Sequence, residues 1–159
     1  MKLTKNYRNI LFIILVFTIT DTLSQDCTNY HKRSLCYKAA YQEGFSYYGQ
    51  SASALIQKDV TLKYNAVFYG GKDYIIYMCC RPEFAPIHFT IYDSDTDELI
   101  YDNEEDDYIE MVAFSLEYTR SLEIEITALA ESIDPENVYD SRSCLGVLVL
   151  WKKAPKIGF

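Results

Sequence analysis

From Asp59 to Trp151 the apolar residues come in short runs that alternate or are unbroken, and turn residues separate the runs. None of these runs is a helix-length segment with apolar residues three and four apart. Such a segment must build its core from sheets. The plainest run is 122–129 (LEIEITAL), with Leu122, Ile124 and Ile126 on one face and Glu123, Glu125 and Thr127 on the other. That pattern predicts an antiparallel strand with one face in water.

The neighbouring runs follow the same logic. Residues 60–69 (VTLKYNAVFY) are rich in β-branched and aromatic side chains and stop at the Gly70-Gly71 turn signal. Residues 74–80 (YIIYMCC) are almost continuously apolar, which predicts a strand covered on both faces. Residues 87–92, 98–101 and 109–117 supply three more strands, and 144–151 (CLGVLVLW) the last and most apolar one. About seven strands at short intervals predict an all-β fold, a single antiparallel, jelly-roll-like β-sandwich over 58–151. Residues 25–57 read as a lead-in: one or two helical turns at 36–41, then an extended stretch at 45–54. Residues 152–159 read as an extended tail.

The first 24 residues belong to no domain. Lys2, Lys5 and Arg8 precede an apolar stretch at 10–19, followed by small and polar residues to Ser24. That stretch is about ten residues, half the roughly 20 a spanning helix needs, and its charge order predicts a signal peptide cleaved after Ser24. The expected location is therefore the periplasm, the cell surface or the medium, with no stable membrane span in the mature chain. Removing Lys2, Lys5, Arg8 and Asp21 from 15 basic and 23 acidic residues leaves 12 against 22, a net charge of −10. A surface of that sign repels nucleic acid and anionic membranes and suits a basic or cationic partner.

Five cysteines in an exported chain predict disulfides. Cys27 and Cys36 are close in sequence, and a bridge between them would be worth about 2.7 kcal/mol in loop-closure entropy. Cys144 then meets Cys79 or Cys80, which alternate across a strand; Cys79 is preferred, and Cys80 is the thiol left over.

Residues 59–151 resemble the pre-peptidase C-terminal type of β-sandwich of secreted bacterial proteins. The likeness lies in FYGGKDYIIYMC, in the hairpin IHFTIYDSDTDELIYDN and in the terminal apolar strand. QSASALIQKD, CLGVLVLW and the short PKIGF ending also resemble a group of small exported bacterial proteins. What the resemblance implies is a fold.

Chemistry is sparse. Asp93, Asp95 and Asp97 with Glu104 eleven positions after Asp93 overlay the spacing of a calcium loop, but Glu98 stands where that loop needs glycine. The calcium reading takes Asp93, Asp95, Asp97 and the acids at 104–107 as ligands. His31 lies in a charged run that predicts a solvated position, and His88 lies on a strand. No Gly-x-Ser-x-Gly elbow or His-Glu-x-x-His occurs. Tyr47 and Tyr48 lie outside the strongest strand pattern and are the expected exposed contact residues. The function expected is a non-enzymatic envelope module binding a protein or glycan, through a sheet edge or a tyrosine-bearing face. A calcium-stabilised accessory module and a small hydrolase are the alternatives.

Overall fold

The computed structural model describes residues 26–130 and 141–155. The expected leader, its cleavage site, the stretch around Pro135 and the last four residues lie outside them. One helix, α1 (Ser34–Ala40), precedes nine strands: β1 (Ser46–Tyr47), β2 (Ala52–Gln57), β3 (Leu62–Phe68), β4 (Lys72–Cys79), β5 (Ile87–Asp93), β6 (Leu99–Asp102), β7 (Met111–Leu116), β8 (Arg120–Ala128) and β9 (Arg142–Lys153). Among the described residues no helix is long and apolar enough to cross a membrane.

The strands form two antiparallel sheets, an all-β sandwich. In the first, β2 and β1 lie end to end along one edge of β9, β4 runs along its other edge, and β7 lies outside β4. The second has the order β3-β8-β5-β6. The alternation of β8 is realised: Leu122, Ile124 and Ile126 are buried against Phe68, Tyr74, Ile76 and Val149, and Glu123 and Glu125 face outward. Burying each of those aliphatic side chains contributes about 2 kcal/mol. The unbroken apolar runs of β4 and β9 also have a cause. Their inner faces meet the second sheet, while α1 and the 3₁₀ turn Tyr30–Lys32 lie over their outer faces.

Two expectations change here. The lead-in at 45–57 is part of the sandwich, since β1 and β2 pair with β9, giving nine strands where about seven were expected. These segments carry little alternation of their own and take their structure from the long strand beside them. At the other end β9 runs on through Lys153, two residues into the expected tail.

The cysteine pairing also differs. Cys27 bonds Cys144 and Cys36 bonds Cys79, with Cα–Cα distances of 5.2 and 5.6 Å. Cys79 lies opposite Gly146, two residues from Cys144, so both strand cysteines point to the outer face. The segment carrying Cys27 and Cys36 crosses that face and meets one strand cysteine with each of its own. Proximity in sequence misleads because a bridge between Cys27 and Cys36 would fasten the segment only to itself. The observed bridges close loops with separations of 117 and 43 residues, worth about 5 and about 4 kcal/mol. Cys80 faces inward and is buried, and burial pushes its thiol up to about 12.

Gly146 admits the crossing. A Cβ there would stand 2.8 Å from both the Cys79 Sγ and the His31 Cα. His31, expected in solvent, is therefore buried at 5% exposure. Its Nδ1 lies 2.6 Å from the Ser53 hydroxyl and its Nε2 3.0 Å from the Tyr47 hydroxyl. Burial, helped by Lys32, lowers its pKa.

Candidate binding groove

β6 ends one sheet and β7 ends the other, and the chain between them crosses from sheet to sheet. The crossing is a 3₁₀ turn, Asn103–Asp106, followed by Asp107 and Tyr108 in the left-handed region with φ of 53° and 57°. Asn103 holds it in place. Its fully buried side chain accepts from the Phe89 N–H at 2.8 Å and donates to the carbonyls of Ile87 (2.8 Å) and Ile109 (3.1 Å). A buried amide satisfied at three points fixes a loop because breaking any one bond strands a polar group.

Between the two sheet ends lies a groove of about 820 Å³. Ile91 and Leu122 line it from the second sheet, and β7 lines it along its whole length. Its rim carries Ile100, within β6, and Ile109, just before β7, which are 47% and 48% exposed. Glu105, Asp106 and Asp107 close one end, and among the described residues no basic side chain lines the groove. The Tyr101 hydroxyl donates to Asp106 at 2.8 Å; burial, with that carboxylate beside it, pushes the phenol up to about 12. The arrangement offers apolar surface, strand-edge backbone and negative charge. It can bind an extended, partly basic chain.

The residues singled out in the sequence fall elsewhere. Asp93 is 7% exposed; its carboxylate accepts from the Asp95 N–H at 3.0 Å and pairs with Arg120 at 3.1 Å, while Asp97 N–H bonds the Asp93 carbonyl. These residues shape the β5–β6 turn. Glu104 lies at the other end of that hairpin, close to His88 and Asp102. Five residues separate His88 from Asp93 along β5, about 17 Å, so the fold does not assemble Asp93, Asp95, Asp97 and Glu104 as one calcium loop. His88 Nε2 lies 2.9 Å from Asp102, whose carboxylate also accepts the Glu104 N–H.

Tyr47 is 37% exposed, with its ring stacked on His31 and Lys32 over it. Tyr48 is a correction: it is 8% exposed and packs against Phe68 and Tyr74. Alternation along the strand turns one of two adjacent tyrosines inward. Sequence reasoning missed Asn103, which reads as one more polar residue in an acidic stretch. It also missed Ile100 and Ile109. The signal for Ile100 was present in LIYD, where a short strand is apolar on both faces.

No family model matches the chain, and no curated protein matches it. Among solved structures it is similar to PliG of Aeromonas hydrophila, a periplasmic inhibitor of g-type lysozyme. The TM-score is 0.46 at 12% identity, over 70% of this chain and 91% of that one.

Proposed function

We propose that this chain is an exported, non-enzymatic module that works by binding another protein through the open side of its sandwich. The groove between β6 and β7 carries the reading: an apolar trough with exposed isoleucines on its rim and carboxylates at one end. Apolar surface left uncovered on a well-packed domain marks an interaction site. Aliphatic lining and strand edges favour a polypeptide over a glycan, which would call for exposed aromatic faces. The two disulfides fit an oxidising compartment, so the partner belongs to the envelope or the medium.

The test is capture from native envelope and medium with residues 25–159 as bait, followed by crosslinking and mass spectrometry. The same capture is run with Ile100→Asp/Ile109→Asp and with Tyr118→Asp, a control at an exposed turn. The reading expects a saturable partner, crosslinked around the groove, that the double variant loses and the control keeps. A partner held equally by all three proteins, or none at all, defeats it.

A further inference from the structure

We infer that the groove is filled by strand addition: an extended partner segment, apolar at alternate positions and basic at the end beside Glu105–Asp107, hydrogen-bonds to the edge of β7 that no described strand covers. This rests on the open-side reading above and gives it a binding mode and a partner chemistry.

The backbone phase comes first. Met78 N–H donates to the Glu110 carbonyl at 2.8 Å, and Ile76 and Tyr74 lie opposite Val112 and Phe114. In an antiparallel ladder the bonded residues alternate. Val112 and Phe114 therefore aim their N–H and C=O groups at β4, and Met111, Ala113 and Ser115 aim theirs at the groove. The side-chain phase agrees: Val112, Phe114 and Leu116 pack inward, whereas Ala113 and Ser115 are exposed on the outer face.

Exposed edges of this kind are normally blocked by charge, proline or cover, because an unpaired row of N–H and C=O groups accepts any available strand. β7 reads MVAFSL, with neither charge nor proline. Six residues span about 20 Å. An added strand would continue the first sheet and place alternate side chains beside Val112, Phe114 and Leu116. The outermost strand would then face β6 across the groove.

Charge selects the occupant. A second copy pairing β7 with β7 would bring Glu117 and another acidic turn against Glu105, Asp106 and Asp107, so carboxylates would face carboxylates. Lys or Arg at the end of the incoming strand removes that repulsion. Such a strand is steered in by the net charge of −10 on residues 25–159.

The experiment uses the mature chain and a fluorescent peptide, acetyl-Lys-Val-Thr-Val-Ser-Val-Arg-amide, basic at both ends so that either strand direction is served. Two N-methylated versions are compared, one blocked at the three valines and one at Thr and Ser. Their amides point to opposite edges of the strand, so one version should weaken about tenfold or more and the other bind as the parent. Replacing Lys and Arg with Glu should abolish binding. Ala113→Pro removes an edge N–H without touching the β4 ladder; it should weaken the peptide likewise while keeping the wild-type melting midpoint. Equal binding by both methylated versions overturns strand addition, as does no saturable binding or a β7-mediated dimer in sedimentation. If Ile100→Asp/Ile109→Asp still abolishes partner capture in those cases, the open-side reading stands and only its mode falls.

Discussion

The two long sides of the sandwich are finished differently. On the β2–β3 side the sheets are stitched together by side chains. Gln50, between β1 and β2, accepts the Val67 N–H at 2.9 Å and donates to the Val67 carbonyl at 3.1 Å, filling the free edge of β3. The Tyr48 hydroxyl donates to that same carbonyl and the Tyr64 hydroxyl donates back to the Gln50 carbonyl at 2.6 Å, while the backbone at Lys58 forms a single β-bridge to Ala128. On the β6–β7 side the crossing is made at one end by the Asn103 turn, and the rest is a groove. One fold thus contains a protected edge and an unprotected one. The protected side shows what sealing requires, a few polar side chains reaching across. Beyond the Asn103 turn, the other side has the same edge chemistry and, among the described residues, no such side chain reaches across it; that contrast is why we assign it a partner.

The sharpest way to break the closed side is Tyr48→Ala. It empties an aromatic site packed on Phe68 and Tyr74 and should cost about 3–5 kcal/mol in urea denaturation. Asn103→Ala tests whether the open side is firmly built despite its groove. It leaves a buried Phe89 N–H and two carbonyls without partners and should cost about 2–3 kcal/mol. A loss below half a kcal/mol would mean the turn is not held as described. Gln50→Ala should cost about 1 kcal/mol. It should also convert the protected edge into a second open one, read as concentration-dependent association in sedimentation.

The closed side should also respond to alkali. Tyr48 lies well above the ordinary tyrosine value of 10, at about 12, chiefly through burial. A folded-state value above the unfolded one favours the neutral phenol in the fold. Its contribution is therefore whole below pH 10 and is lost as pH rises from 10 to 12. Tyr48→Phe should flatten the fall in stability over that window; an unchanged slope would place the ionising group elsewhere. The smallest expected effect is on the open side. Ile100→Asp/Ile109→Asp should move stability by about half a kcal/mol or less, though it should remove the partner.

What the sequence determined by itself was local. Alternation in 122–129 placed Leu122, Ile124 and Ile126 inside, Gly70-Gly71 ended a strand, the continuous run in β4 announced a strand covered on both faces, and the run in β9 announced the most apolar strand. These follow from covalent periodicity, which needs no neighbour. Tertiary structure alone decided which cysteine meets which, that Tyr48 turns inward beside an exposed Tyr47, and that β6 and β7 end their sheets next to one another. Each of those depends on what lies across a gap between residues far apart in the chain. A period of two says which way a side chain points; it does not say whether anything stands opposite. The groove exists because nothing in the described chain does.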